Sequence, residues 1–225
     1  MLAALEGYGA RLCAVQLDVT SDESVERAVN AAVGQFGRLD ILVNNAGYGQ
    51  LGAFEELSPE LIRKQFETNV FGVFNVTRAV LPLMRAQRSG HIITVSSTCG
   101  ITGFDGASIY CATKFAVSGW SESLSIELEP FGIKATCIHP GPFRTDFLES
   151  TSVSYGDLVV DDYQRSSRAK REALDNANHN QDGDQVRKEN LALTVSGLGE
   201  IDSPWDRGRS GGCPRFNRFF FPPAW

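Results

Sequence analysis

Residues 97–114 read STCGITGFDGASIYCATK, a stretch that links a polar strand end to the start of a long predicted helix. Tyr110 and Lys114 lie four positions apart, so they share one face of that helix. A nearby cation favours the phenolate and lowers the pKa of a tyrosine from its usual value of about 10. The pair is therefore a candidate for proton exchange near neutral pH, with Ser97 as a hydroxyl donor to a substrate oxygen. Taken alone, the same spacing also fits an ordinary surface pair.

Strand and helix patterns alternate on both sides of this stretch. Apolar runs at 11–19, 39–43, 91–97 and 133–139 predict strands, and helical spacing predicts helices that begin near 22, 59 and 108. The 39–43 run is nearly continuous, which is typical of a strand buried on both faces. Pro82 is expected to kink or end the second helix. The alternation predicts an α/β fold, a doubly wound, Rossmann-like parallel sheet with helices on both faces.

Polar motifs follow the ends of the predicted strands. They are Asp18, Asn44–Gly47, Ser96–Ser97 and Pro140–Thr145. In a parallel sheet, ligands bind beyond the carboxyl ends of the strands, and these ends meet at one edge. The four motifs therefore predict a single site at that edge.

Composition excludes several classes of protein. The 225 residues carry a formal net charge of −6, which argues against a nucleic-acid binder. Five cysteines without a C-x-x-C spacing fit reduced thiols better than disulfides or a zinc site. No apolar stretch approaches the roughly 20 residues that span a bilayer, and the first residues do not form a signal-peptide pattern. We expect a cytoplasmic protein without a metal, a nucleic-acid partner or a membrane partner.

An ordered set of motifs runs through the chain: Asp18-Val19, Asn44-Asn45-Ala46-Gly47, Asn69, Ser97, Tyr110-x-x-x-Lys114 and Pro140-Gly141-x-x-x-Thr145. This set resembles the classical short-chain dehydrogenase/reductase family, over roughly residues 10–150. The resemblance implies a nicotinamide cofactor, NADP or NAD with NADP slightly favoured, and hydride transfer between a small-molecule alcohol and a carbonyl. Isomerases and dehydratases of the extended branch share the Tyr-x-x-x-Lys, but the Asn-Asn-Ala-Gly and the chain length favour the classical branch.

The resemblance also implies roles for four catalytic residues. Tyr110 would be the general acid in reduction and the base in oxidation. Lys114 would lower the pKa of Tyr110 and hold the nicotinamide ribose. Ser97 would hydrogen-bond the substrate oxygen, and Asn69 would hold a water that links Lys114 to solvent.

The remaining motifs are implied to bind the cofactor. Asp18 and Val19 would contact the adenine, and Asn45, Ala46 and Gly47 the adenine-side ribose. The nicotinamide loop would include Pro140, Gly141, Phe143 and Thr145. Each has a plainer alternative: Asp18 as a turn residue, Asn44 and Asn45 as an Asx turn, and Pro140-Gly141 as a simple loop. The family commonly pairs subunits through the Tyr110 and Asn69 helices, which implies a homodimer or homotetramer.

Two regions depart from the family pattern. Residues before Asp18 do not match the Gly-rich turn that binds the cofactor pyrophosphate in the family. We therefore expect a domain that is incomplete at its N-terminus, an unpaired edge on the 39–43 strand, poor folding and weak cofactor binding. The alternative function is an inactive fragment that at most associates through its helices.

The second departure is near the end of the sequence. Residues 1–184 are interpreted as the truncated family domain, and 185–225 as an atypical tail that is predicted to be disordered and to lack the last strand. A shifted reading frame after about residue 184 is our hypothesis for the tail. An unbroken in-frame transcript would contradict it.

Overall fold

Parallel strands form the centre of the fold, which a computed structural model describes for residues 12–141 and 152–163 and for the backbone of 194–196. The main sheet has the order β1-β3-β4-β6, from Ile41–Asn44 (β1), Gly90–Val95 (β3), Ile133–His139 (β4) and Thr194–Ser196 (β6). β1, β3 and β4 are parallel, whereas β6 runs antiparallel to β4. A second pair, Gly49–Leu51 (β2) and Val153–Tyr155 (β5), is also parallel. The α/β class with a parallel sheet is confirmed.

Helices connect these strands. They are Asp22–Phe36 (α1), Pro59–Phe66 (α2), Gly72–Gln87 (α3) and Ser108–Leu128 (α4). Ser21 caps α1 and accepts a hydrogen bond from the Ser24 amide, while Gly37 ends it at a φ of 76°. Ser58 caps α2 with Pro59 in its first turn, as the sequence predicts.

The helix does not end at Pro82, because α3 continues through that residue to Gln87, and the alternative of a kink there stays a prediction. The irregular turn lies earlier, where Glu67–Phe71 forms a π-helical turn between α2 and α3. Such insertions widen a helix locally and occur often at functional sites. Asn69 lies in this turn and is 2% exposed.

The main core lies on one face of the sheet. Leu42, Ile92 and Ala135 are neighbours in strand register and pack against Val80 and Met84 of α3 and the apolar side of α4. Their alternate neighbours on β1, Ile41 and Val43, are 62% and 53% exposed. Burial of this strand on both faces is therefore not observed. In the described part of the chain, α1, α3 and α4 cover one face only.

The strand predicted at 11–19 is wrong for the residues that the structure describes. Residues 12–18 are irregular, and Leu12, Val15 and Leu17 are exposed. A strand must exchange backbone hydrogen bonds with a neighbour, and this stretch pairs with none of the described strands. Only Val19 reaches the core, where it packs against Val25 and Val76.

The absence of a last strand, predicted for the tail, is also wrong in part. Thr194–Ser196 pairs with Cys137–His139 of β4, although three residues are too few to give a periodic sequence signal. The rest of the tail lies outside the described residues, so the domain division and the reading-frame hypothesis stay predictions. Among the described helices, none is long and apolar enough to cross a membrane.

Candidate active site

Tyr110 and Lys114 lie together in the first two turns of α4. Both side chains are buried, at 6% and 7% exposed, and the Lys114 Nζ lies 5.6 Å from the centroid of the Tyr110 ring. The ammonium donates a 2.9 Å hydrogen bond to the carbonyl oxygen of Val95, the last residue of β3. The pair is therefore not a surface pair, because the helix packs it against the end of a central strand.

Ser97 follows β3 in an extended conformation and faces the same place. Its hydroxyl accepts a 3.1 Å hydrogen bond from the Cys99 amide and also hydrogen-bonds the Tyr110 side chain. The strand end and the helix thus bring a serine hydroxyl, a phenol and an ammonium into one cluster. Two hydroxyls side by side can both donate to one substrate oxygen.

Burial dominates the electrostatics of this cluster. Burial raises the pKa of Tyr110, the neighbouring Cys99 raises it further, and the hydrogen bond from Ser97 acts in the opposite direction. Burial also lowers the pKa of Lys114 to about 8, against the effects of Cys137 and Cys99. The net lowering of the Tyr110 pKa that the sequence predicts is not observed, because burial dominates and raises it. Tyr110 is therefore protonated at neutral pH and ready to donate a proton.

Asn69 links the π-helical turn to the loop after β1 and to α4. Its Oδ1 accepts from the Tyr48 amide at 3.0 Å, and its Nδ2 donates to the Tyr48 carbonyl at 2.9 Å and to Thr113 Oγ1 at 3.2 Å. Thr113 Oγ1 donates in turn to the Tyr110 carbonyl at 2.8 Å. Asn69 is thus connected to the backbone of Tyr110 through two hydrogen bonds of Thr113.

The Asn44–Gly47 motif divides into a structural and a site-facing part. Asn44 is buried and donates to Thr77 Oγ1 at 2.9 Å, which ties β1 to α3. Asn45 and Ala46 are exposed at the edge. A Cβ on Gly47 would lie 3.1 Å from Asn69 Oδ1 and 3.8 Å from Lys114 Nζ. The glycine therefore keeps the approach to the lysine open, as a cofactor held against Lys114 requires.

Asp18 and Val19 serve the local fold. Asp18 Oδ1 accepts from both the amide and the hydroxyl of Thr20, at 2.9 and 2.7 Å, and the hydroxyl hydrogen bond lowers the Asp18 pKa. This is the turn that the sequence predicts as the alternative role of Asp18. Asp18 also lies on the wall of an open cleft of about 590 Å³, whose other lining residues are Thr20, Lys64, Glu67 and Thr68.

The predicted nicotinamide loop is described only at its beginning. Pro140 and Gly141 follow β4, and the Pro140 carbonyl accepts from the Thr98 amide at 3.0 Å, so the loop begins beside Ser97. Phe143 and Thr145 lie outside the described residues. The structure therefore brings together Asn69, Ser97, Tyr110, Lys114, Gly47 and Pro140, and leaves Asn45, Ala46 and Asp18 at the edge.

Sequence reasoning missed several polar residues behind the cluster. Tyr48 and Thr113 are the partners of Asn69, and Ser118 and His139 lie buried behind Lys114, next to Ser96 of the predicted Ser96–Ser97 motif. The available signal was polarity at positions that the helix and strand patterns assign to the core. Ser118 is four residues after Lys114, on the same helix face.

The family is shown by comparison with known proteins. The sequence model of the family described as short chain dehydrogenase matches residues 1–155. A 3-ketodihydrosphingosine reductase of Bacteroides thetaiotaomicron is 43% identical over 150 residues, which are 67% of this chain and 56% of that protein. Retinol dehydrogenase 8 of Bos taurus is 45% identical over 145 residues, 64% of this chain and 46% of that protein. The chain spans about half the length of these two relatives.

Solved structures agree. A short-chain dehydrogenase of Streptomyces avermitilis matches with a TM-score of 0.70 and 38% identity, over 77% of this chain and 64% of that one. ElxO with NADP bound matches with a TM-score of 0.55 and 36% identity, over 57% of this chain and 52% of that one. A 3-ketoacyl-(acyl-carrier-protein) reductase of Brucella melitensis complexed with NADH matches with a TM-score of 0.55 and 30% identity, over 56% of this chain and 55% of that one. The chain belongs to the short-chain dehydrogenase/reductase family, with the Rossmann-like fold that the sequence predicts.

Proposed function

We propose that the chain is an NAD(P)-dependent oxidoreductase that interconverts a small-molecule carbonyl and the corresponding alcohol. The observation that supports this most is the cluster of the half-buried Ser97 with the buried Tyr110 and Lys114, in which the phenol is protonated at neutral pH. A buried proton donor beside a second hydroxyl suits a carbonyl oxygen on which negative charge develops. Tyr110 is protonated near pH 7, which is the form that a general acid needs, and its raised pKa makes it a weaker acid than a tyrosine in water.

Each residue has a defined task in this proposal. Ser97 and Tyr110 hold the carbonyl oxygen, and Tyr110 donates its proton to that oxygen as the alcohol forms. Lys114, at a pKa of about 8, remains largely protonated at pH 7 and stabilises negative charge on the phenol oxygen. Asn69 connects the loop after β1 with the backbone of the catalytic helix through Thr113, and thereby orients the helix.

A nicotinamide cofactor, when bound, would supply or accept the hydride. The open approach to Lys114 at Gly47 and the loop that begins at Pro140 fit such a group beside Tyr110. The titles of matching structures name both NADP and NADH, so we propose NAD(P) without a choice between the two.

We also propose self-association through the exposed side of α3 and α4. Exposed aromatic and aliphatic side chains lie there: Phe71, which precedes α3, and Phe115 and Ile126. Of the four small residues on one side of α4, Ala112, Gly119 and Ser123 are exposed, whereas Ala116 is half-buried. A homodimer would bury this surface, and sedimentation of the purified chain tests it. The cytoplasmic location stays a prediction.

The test is loss of NADPH absorbance at 340 nm with an aromatic α-dicarbonyl as probe substrate. We expect Tyr110→Phe to lower kcat at least 100-fold, because general acid catalysis typically contributes about that factor or more. Tyr163→Phe is the matched control, since its hydroxyl donates to the exposed Glu55, at 2.8 Å. Equal activity of Tyr110→Phe and the wild type would contradict the role of Tyr110. A folded wild-type chain that neither turns over nor binds NADPH by calorimetry would support the inactive fragment.

A further inference from the structure

A chain of buried polar side chains lies directly behind Lys114. His139 Nε2 lies 2.9 Å from Ser118 Oγ, and Ser118 Oγ lies 2.8 Å from Ser96 Oγ. Both hydroxyls also meet the Lys114 carbonyl oxygen, Ser118 at 2.7 Å and Ser96 at 3.1 Å. The three side chains are only 3–6% exposed. Buried polar groups that satisfy one another fix a single arrangement of the elements that carry them.

These three residues come from three different elements of the site. Ser96 directly precedes Ser97 after β3, Ser118 follows Lys114 by one turn of α4, and His139 ends β4 directly before Pro140. The Ser96 amide also donates to the Ile138 carbonyl at 2.7 Å, which holds the two strand ends together. One polar chain therefore sets the position of the helix relative to both strand ends.

The backbone of Gly100 packs against the same polar groups. A Cβ on Gly100 would overlap the Ser96 hydroxyl and would lie 2.6 Å from Ser118 Oγ and 2.8 Å from the Lys114 carbonyl. The backbone at Gly100 is thus packed against all three oxygens at once. No side chain fits there unless the polar chain moves, so the close packing and the polar chain depend on each other.

We propose that His139 is a positioning residue, which acts through Ser118 and Ser96 to hold Lys114 in its desolvated place beside Tyr110. The inference rests on the proposed function for its catalytic meaning, although the placement of Lys114 can be measured without it. The competing explanation is a polar chain that only stabilises the fold.

The pKa of Lys114 measures how far its ammonium is shielded from water. The titratable groups around it are Tyr110 on its own helix, Cys99 after β3, and Cys137 and His139 on β4. Burial is the largest influence on its pKa, which it lowers to about 8, and the two thiols act in the opposite direction. A helix that shifts at this point admits water to the ammonium. The Lys114 pKa would then rise toward the usual value of about 10.4.

The experiment titrates Lys114 by NMR in the full chain with 13C-labelled lysine, assigned from the loss of its signal in Lys114→Met. We expect His139→Leu to raise the Lys114 pKa by at least half a pH unit. His139→Gln keeps a polar atom toward Ser118 and should restore the wild-type value. His91→Leu is the matched control, because His91 Nε2 makes a similar 2.8 Å bond to Thr136 Oγ1 between β3 and β4, away from the site.

The result that overturns the proposal is an unchanged Lys114 titration in His139→Leu while the melting temperature falls as it does in His91→Leu. If His139→Leu does not fold, Ser118→Ala provides the same measurement with a smaller change. In the NADPH assay, His139→Leu should lower kcat about tenfold. In thermal unfolding, its melting temperature should be no lower than that of His91→Leu. An inactive wild type would contradict the proposed function alone, because the titration of Lys114 still tests the positioning role.

Discussion

Lys114 is a cation that the fold removes from water. Its ammonium has a backbone carbonyl, that of Val95, as a hydrogen-bond acceptor at 2.9 Å, and the side chain is 7% exposed. A carbonyl dipole replaces only part of the lost hydration, so the neutral amine is favoured and the pKa falls to about 8. The same burial favours the neutral phenol of Tyr110. Burial therefore keeps Tyr110 uncharged at neutral pH, whereas it brings the pKa of Lys114 close to neutrality and leaves the ammonium largely charged at pH 7.

The first prediction concerns the pH dependence of stability. Between pH 8 and 10.5 the unfolded chain keeps the Lys114 proton while the folded chain has lost it, so a rise in pH favours folding. At about 1.4 kcal/mol per pH unit, this group adds about 3 kcal/mol over that range and nothing below pH 8. Lys114→Met should lack this gain. Urea unfolding of both proteins at pH 7.5, 9 and 10 measures it.

The difference between wild type and Lys114→Met is the informative quantity, because the thiols and Tyr110 titrate in both proteins. Burial raises the pKa values of Cys99 and Cys137, so these groups lower stability above about pH 9 in each case. A constant difference from pH 7.5 to 10 would show that Lys114 is hydrated in the folded chain.

The second prediction concerns Asn69. Asn69→Leu removes three hydrogen bonds and leaves the Tyr48 amide without its acceptor, whereas Gln65 Nε2 still donates to the Tyr48 carbonyl at 3.1 Å. We expect a loss of about 2–4 kcal/mol in the free energy of unfolding. Asn75→Leu is the control, because Asn75 donates one bond, to the Val19 carbonyl at 3.1 Å, and should cost about 1 kcal/mol. Equal losses in urea unfolding would exclude a special role for Asn69.

At the scale of elements, α3 depends on a glycine at its first position. A Cβ on Gly72 would lie 2.5 Å from Val19 Cγ2 and 3.0 Å from Val19 Cβ. Val19 is itself fixed, because its side chain packs in the core and its carbonyl accepts from Asn75. The glycine lets the turn that contains Asp18 lie directly on the helix.

The third prediction follows from this contact. Gly72→Ala should lower the free energy of unfolding by about 1–2 kcal/mol, although alanine is the better helix residue by about 1 kcal/mol. Gly119→Ala in α4 is the matched control, since a Cβ there meets nothing within 4 Å. That variant should be more stable by about 0.5–1 kcal/mol. Thermal unfolding of both variants measures the difference, and a stabilised Gly72→Ala would show that Val19 moves freely.

Sequence patterns predicted those elements whose partners lie in the same part of the chain. The starts of the helices near 22 and 59 were predictable, because the serines that cap them, Ser21 and Ser58, act locally. The convergence of Asn44–Gly47, Ser96–Ser97 and Pro140 was also predictable, because neighbouring parallel strands place their carboxyl ends together, whereas Asn69 was placed there by the family resemblance. The 11–19 strand was not, since its formation depends on a partner rather than on its own residues. The pKa of Tyr110 depends on burial, which spacing does not show.

At the scale of the whole molecule, β1 leaves an edge and a face uncovered. It pairs with β3 on one side, and no described strand pairs with its other side. Ile41 and Val43 point away from the core formed with α1, α3 and α4. An unpaired edge next to exposed aliphatic side chains is a template for pairing with another chain. The edge expected from the sequence for the 39–43 strand is therefore observed among the described strands.

The fourth prediction is that this edge governs the behaviour of the purified chain. Val43→Lys places a charge beside the free edge, and charged edge residues block pairing between chains. We expect lower binding of an apolar dye such as ANS and a smaller oligomer fraction in sedimentation than for the wild type. Phe36→Lys is the control, because Phe36 is 44% exposed but lies on α1, outside the surface proposed for self-association and on a helix, where backbone groups are paired within the element. If exposed apolar area alone drives association, both variants reduce it equally, and the edge of β1 has no special part. If the edge is responsible, only Val43→Lys does so, since a helix offers no free backbone groups for a strand to join.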